Sequence, residues 1–324
     1  VSEEQSFVDL LRTVASDPAA RGLADDAAVL EVGGRTLVLT HDMLVEDVHF
    51  LAADPPADVA WKLVAVNLSD LAAKGARPLG ALLGYTLREG EWDRAFVDGL
   101  ASALAAFEMP LLGGDTVSAP AGAPRSLGLT AIGEAAGPVP SRSGAKAGDE
   151  LWVTGALGDS GAGLRVLKGE LEGGDATLSE RYRLPRPRLE AGEALARFVS
   201  AMMDVSDGLL LDCSRLAAAS GLAASIDLQA LPLSEACVAA LGDNRAARLF
   251  AATAGDDYEL LFAAAQSDAA DILALAERLG LAMTRVGRLA AGSELALVSG
   301  GEPVPMPRRL GWEHGLSQAA PPRG

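Results

Sequence analysis

Apolar positions along the chain come in short blocks whose spacing switches between the helical and the strand period. Residues 2–14 read as a helix, with Ser2 as N-cap and Gln5 completing a capping box. Residues 27–32 and 35–40 are two apolar runs joined by Gly33-Gly34, a hairpin signature. Residues 59–74 form a long apolar block; Asp58 precedes it, and Gly75 and Pro78 follow, so it reads as a buried helix capped by Asp58. The pattern then predicts a strand at 79–87 and an amphipathic helix at 92–108. It continues with a short buried strand, Leu111-Leu112, running into Gly113-Gly114-Asp115, and a strand at 126–135.

Gly137-Pro138-Val139-Pro140 reads as a linker. Beyond it the blocks alternate again, with strands near 150–154, 201–205, 222–228, 257–264, 283–289 and 294–299. Helices are expected near 159–168, 187–199, 208–219 and 268–279. This predicts an α/β chain with mixed sheets in two domains, 1–138 and 139–317, and a disordered Pro- and Ala-rich tail, 318–324.

The composition narrows the function. The 324 residues carry 44 acidic against 27 basic side chains, a formal charge of −17, with 49% hydrophobic residues. That is a soluble globular composition. No Lys/Arg run exceeds two residues, which argues against nucleic-acid wrapping and against an anionic membrane surface. No apolar stretch reaches the length of a membrane span, and the acidic opening Val1-Ser2-Glu3-Glu4 is unlike a signal peptide. Two cysteines, Cys213 and Cys237, are expected to be free buried thiols, which points to the cytoplasm.

Several acids interrupt apolar runs where a solvated surface would not put them: Asp25-Asp26, Asp42, Asp70, Asp115, Asp204 and Asp207. Most have a plain structural reading, as turn residues or, for Asp207, as a helix N-cap. Asp70 is harder to dismiss. It lies among Leu63, Val66, Leu68 and Leu71, and a buried carboxylate needs a partner. The same helix offers only Lys62 and Lys74 as bases. A set of acids without matching bases, poor in Cys and His, suits hard cations with oxygen ligands. No calcium-loop pattern is present, so Mg²⁺ with a phosphate substrate is the natural reading. The chain has neither a P-loop nor a kinase-type catalytic loop. The glycine-rich run 155–163 joins a strand to a helix and reads as close packing, with a phosphate at the helix N-terminus as the alternative.

Taken in order, seven segments resemble one family: Asp25-Asp26-Ala27-Ala28-Val29-Leu30, residues 40–50 (THDMLVEDVHF), residues 65–73 (AVNLSDLAA), Gly113-Gly114-Asp115-Thr116, Arg142-Ser143-Gly144-Ala145, Asp204-Val205-Ser206-Asp207-Gly208-Leu209 and residues 255–261 (GDDYELL). The set is similar to thiamine-monophosphate kinase over nearly the whole chain. The resemblance implies the two-domain α/β fold of aminoimidazole ribonucleotide synthetase, whose N-terminal domain pairs with a second copy through a barrel-like interface. It therefore implies a homodimer. It also implies ATP-dependent phosphorylation of thiamine monophosphate to thiamine diphosphate, assisted by several Mg²⁺ ions, with a monovalent cation left open. By position, Asp26, Thr40, His41, Asp42, Asp70, Asp115, Asp204 and Asp207 fall at the family's Mg²⁺ ligands, with Asp42, Asp70, Asp115 and Asp207 as the catalytic set. Gly114, Asp115, Arg142 and Ser206 fall at nucleotide contacts, and His49, Asp256 and Trp312 at contacts to the thiamine substrate.

The chain departs from the family pattern at several points. Gly22-Leu23-Ala24 stands for Gly-Ile-Gly, His41 for Thr, Asp47 for Gly, Asp256 for Glu, and Ser118-Ala119 for Arg-Gly. The expected chemistry is direct in-line transfer without a phosphoenzyme, because a phosphate acceptor is already ionised and needs no general base. Other members of the same superfamily, and a nucleotide- or Mg²⁺-binding sensor, are the competing readings.

Overall fold

The computed structural model describes residues 3–88 and 90–313, so the Ser2 cap and the 318–324 tail lie outside the described residues. The N-terminal half runs α1 (Glu3–Arg12), β1 (Ala28–Val32), β2 (Arg35–Val45), α2 (Pro56–Ala73), β3 (Arg77–Leu87), α3 (Gly90–Ala106), β4 (Leu111–Ser118) and β5 (Ser126–Ala135). The C-terminal half runs β6 (Glu150–Thr154), α4 (Asp159–Leu167), α5 (Ala176–Arg183), α6 (Leu189–Leu195), β7 (Val199–Asp204), α7 (Leu209–Ala219) and β8 (Leu222–Asp227). It continues with α8 (Glu235–Leu241), α9 (Arg245–Thr253), β9 (Leu260–Ala264), α10 (Ala269–Leu279), β10 (Met283–Ala291), β11 (Leu295–Ser299) and β12 (Glu302–Val304).

Each half is built on one mixed sheet. The first has the order β1-β2-β5-β3-β4, and its one parallel pair is β3 with β4. Alternation along β2 sends Thr40 and Leu44 to a face covered by α2 and α3, while His41 and Met43 point the other way. The second sheet has the order β12-β11-β8-β10-β6-β9-β7. Layers cover both of its faces, so every residue of β6 and β9 is buried: Leu151 and Val153 face one side, Trp152 and Phe262 the other.

Helix α2 lies at the centre of the architecture. It packs on β2, β5 and α3 of its own half and on α6 and β7 of the other. Buried almost all round from Val59 to Ala73, it shows the uniform apolar character of a helix between two layers. It begins earlier than Asp58 suggests: Pro55 is the N-cap, Pro56 opens the helix, and Asp58 sits in the first turn. Its end is as expected. Gly75 takes φ +62, Ala76 N–H reaches Leu71 O and Gly75 N–H reaches Ala72 O, a Schellman cap. The crossing with α6 requires a glycine, since a Cβ on Gly192 would lie 1.9 Å from Ala72 O.

The expected buried pair Leu111-Leu112 is different in the structure. It opens an eight-residue edge strand that is exposed throughout. Leu112 and Val117 lie on the sheet face that no described helix covers, and Leu111 pairs with Ala81 at the strand's start.

Candidate active site

The carboxylates converge where α2 meets the end of β7. Asp70, near the C-terminal end of α2, has one oxygen within 4.8 Å of an oxygen of Asp26 and of Asp204. Thr40, on the covered face of β2, donates its hydroxyl hydrogen to Asp70 Oδ2. Ser69, beside Asp70, donates to Asp204 Oδ2 at 2.7 Å. Asn67, one turn back, accepts the backbone N–H of Asp42 at 2.9 Å and so fixes β2 against the helix. One buried helix thus supplies one of the proposed ligands and hydrogen-bonds three others.

Charge in this cleft is unbalanced. Among the described residues, Asp26, Asp42, Asp70, Asp204, Asp207 and Asp212 face only Lys74, Arg142 and Arg215. Arg142 Nε donates to Asp26 Oδ1 at 2.7 Å. Lys74 Nζ lies 2.6 Å from Asp26 Oδ2, close enough for charge pairing, yet that buried oxygen receives no well-directed hydrogen bond. Among the described residues no base pairs with Asp42 or Asp70. Burial, with Asp26 and Asp207 nearby, pushes the Asp42 carboxyl up to about 6. Burial pushes Asp70 well above the usual carboxylate range, reinforced by Asp42, Asp204 and Asp26. Asp204 is driven the same way by burial and by Asp26. Like charges held this close without bases favour either protons or a bound cation.

The two lysines of this region take other partners than Asp70. Lys74 pairs with Asp25 and Asp26 and also donates to Met202 O at 3.1 Å. Lys62 donates to Asp256 Oδ2 and to His49 O, each at 2.9 Å. His49 Nδ1 accepts the N–H of Val45 at 3.0 Å, so in the neutral ring Nε2 carries the proton. Asp256 N–H donates to Ser206 O at 2.7 Å, which ties the loop after α9 to the loop after β7. The backbone N–H of Trp312 donates to Asp207 O at 2.9 Å, which ties residue 312 to the turn at Asp207, and Trp312 is 40% exposed. Asp47, where the resemblance has Gly, takes φ +65, a conformation that favours glycine.

The structure therefore gathers Asp26, Thr40, Asp42, Asp70, Arg142, Asp204, Ser206 and Asp207, with His49, Asp256 and Trp312 beside them. His41, Gly114 and Asp115 are not gathered with them. His41 Nδ1 bonds Thr130 Oγ1 at 2.9 Å on the uncovered sheet face, over Gly128, where a Cβ would lie 3.1 Å from the ring. The register Met43–Gly128–Gly84–Asp115 puts Asp115 in the same uncovered row, three strands from β2. Three strand spacings are about 14 Å. Gly114 has its own constraint: with φ +156, a Cβ there would lie 2.0 Å from Leu83 O.

Sequence reasoning missed Asp212. It is fully buried on the first turn of α7, accepts the N–H groups of Asp207 and Gly208 at 3.0 and 3.1 Å, and is raised to about 7 by burial and by Asp207. Gly208, not Asp207, is the N-cap of α7, and Asp212 reaches back from the first turn to the N–H groups that enter the helix. The glycine-rich run 155–163 serves packing: Asp257 accepts Gly158 N–H at 2.8 Å at the N-terminus of α4, and a Cβ on Gly163 would lie 2.0 Å from Leu178 O.

Residues 24–135 match the N-terminal domain of AIR synthase related proteins, and residues 146–300 match the C-terminal domain. The chain is 40% identical to the thiamine-monophosphate kinase of Caulobacter vibrioides, covering 97% of this chain and 91% of that one. It is also 40% identical to that of Salmonella typhimurium, covering 87% and 88%. The chain belongs to the thiamine-monophosphate kinase family. The solved structure of AaThiL complexed with AMPPCP and TMP has the same fold, with a TM-score of 0.82 and 30% identity over 97% of each chain. Membership makes this chain a kinase built on the mixed α/β, two-domain fold that its sequence motifs imply. No described helix is long and apolar enough to cross a membrane.

Proposed function

We propose that this chain transfers the γ-phosphoryl group of ATP to thiamine monophosphate, giving thiamine diphosphate by direct in-line attack of the acceptor phosphate. The observation that carries the reading is the meeting of Asp26, Asp70 and Asp204 within 4.8 Å, short of bases, in a chain of this family. The complex of AaThiL, 30% identical, with AMPPCP and TMP supports both substrates.

The residues fit Mg²⁺. Asp26 Oδ2 is buried without a directed hydrogen bond, Asp42 and Asp70 have no basic partner among the described residues, and the donors are hard oxygens. Asp26, Thr40, Asp42, Asp70, Asp204 and Asp207 would hold it. Bound there, Mg²⁺ supplies charge neutralisation between the cluster and two polyanionic substrates. Arg142 and Ser206 would contact the nucleotide. His49 would donate from Nε2 to the acceptor phosphate, and Asp256 and Trp312 would hold the thiamine rings, the indole face suiting a cationic thiazolium. No side chain needs to remove a proton, since a phosphate monoester is mostly ionised at neutral pH, its second pKa being about 6.

His41, Gly114 and Asp115 enter this reading through a second copy of the chain. Their sheet face also presents Met43, Leu82, Leu112 and Val117, which are 51%, 41%, 57% and 54% exposed, an apolar row suited to a matching face. The division near residue 138 then separates a dimerising, Mg²⁺- and nucleotide-binding half from a half that supplies Asp204, Asp207 and the acceptor loop.

Incubation with Mg²⁺-ATP and either thiamine monophosphate or free thiamine, followed by chromatography of the thiamine species, tests the reading. Thiamine diphosphate formed from the monophosphate alone is expected. ATP bound without turnover would overturn it in favour of a sensor.

A further inference from the structure

We infer that Lys62 is a positioning residue for the acceptor end of the site: one buried ammonium holds both the Asp256 carboxylate and the His49 segment. The inference rests on the reading that His49 and Asp256 contact thiamine monophosphate.

Lys62 is 1% exposed, and an ammonium so placed is costly unless its donors are used. They are used. Nζ lies 2.9 Å from His49 O, 2.9 Å from Asp256 Oδ2 and 3.9 Å from the ring centroid of Tyr182. Lys62 and Asp256 are 194 residues apart, one on α2 and the other on the loop before β9. The second carboxylate oxygen of Asp256 accepts the phenol hydrogen of Tyr258 at 3.0 Å. Burial, with Asp256 adjacent, keeps that phenol well above its ordinary pKa, so it remains a donor.

The loop needs these ties. Asp256 and Tyr258 both take left-handed conformations, φ +67 and +51, which non-glycine residues keep only when the surroundings hold them. Held from both oxygens, the Asp256 side chain still keeps 28% of its surface exposed, enough to meet a ligand, whereas that of Lys62 keeps 2%. Lys62 therefore acts through Asp256 and His49. It sits eight residues before Asp70 on the same helix, about 12 Å along the axis. Helix α2 thus sets the separation between the acceptor end and the carboxylate cluster.

The experiment is a cycle of Lys62→Met, Asp256→Asn and the double variant, with steady-state kinetics for each substrate. Lys62→Met is expected to raise KM for thiamine monophosphate about 10- to 100-fold. KM for ATP should change less than about twofold, and the double variant should be no worse than Asp256→Asn alone. A purely structural lysine would lower melting temperature without that split between substrates. A raised KM in Asp256→Asn with an unchanged KM in Lys62→Met overturns the inference and leaves the proposed acceptor contact standing. Unchanged KM in both variants overturns the acceptor contact as well. Should Lys62→Met fail to fold because it strands Asp256, Tyr258→Phe removes the other tie on the same carboxylate. It is expected to raise KM for thiamine monophosphate selectively, and an unchanged KM there overturns the inference.

Discussion

Ser69 donates its hydroxyl hydrogen to Asp204 Oδ2 at 2.7 Å, joining the long helix of the N-terminal half to the end of a strand 135 residues away. The next residue, Asp70, shares the carboxylate cluster with the same Asp204. Helix α2 therefore both supplies a carboxylate and orients one supplied by the other half. Ser69→Ala is expected to raise the Mg²⁺ concentration needed for half-maximal rate about 10- to 100-fold, read from rate against Mg²⁺ concentration. An unchanged Mg²⁺ profile would remove Ser69 from this role.

Asp70→Asn and Asp204→Asn should abolish turnover while raising stability without divalent cation. In the native protein burial and neighbouring acids hold both carboxyls well above the usual range. Deprotonation thus favours the unfolded chain as pH rises above about 4, and a neutral amide removes that penalty near neutral pH. Thermal melts at pH 7 with and without Mg²⁺-ATP check this. Each variant should melt higher than the wild type without Mg²⁺-ATP, and neither should gain from adding it.

Lys74→Met should be strongly destabilising, because it leaves Asp25 and Asp26 without the amine that both face. Breaking one side of a buried ion pair costs about 3–5 kcal/mol. Urea unfolding gives the figure, and a loss under about 1 kcal/mol would mean that Arg21 and Arg142 suffice.

If Asp115 serves a neighbouring copy, two dead enzymes should make a live one. Asp70→Asn and Asp115→Asn, each inactive alone, are co-expressed and assayed together. About a quarter of wild-type activity should return, since half of the dimers are mixed and each mixed dimer has one intact site. No recovery would put Asp115 in the cleft of its own chain. Leu82→Glu, on the uncovered sheet face, should yield a folded and inactive monomer by light scattering.

Both cysteines should be inert in the folded protein. Burial pushes Cys213 up to about 12 and Cys237 up to about 11. A thiol reagent at pH 8 should titrate neither until denaturant is added; rapid reaction of either in the native protein would contradict the structure.

Local pattern carries much of this protein. Periods of two and 3.6 along the chain mark β2, α2 and β5, and the Gly75 stop of α2, because side-chain direction follows from the backbone alone. The acids at element ends are legible as chemistry, and the apolar residues around Asp70 are enough to show that its carboxylate needs a partner. The partners are not legible. Lys74 turns to Asp25 and Asp26, Lys62 to Asp256, and Asp70 to Thr40, over separations of 30 to 194 residues. Those pairings depend on how two sheets stack across one helix, which no local period encodes. The same holds for Leu111 and Leu112, apolar enough to read as buried. Only the strand order reveals that β4 lies at a sheet edge and that Asp115 lies in the uncovered row, about 14 Å across the sheet from β2. Local pattern thus marks the long elements and the acids that stand in apolar surroundings. Which charges meet is set by packing, because a buried charge is settled by the partners brought to it.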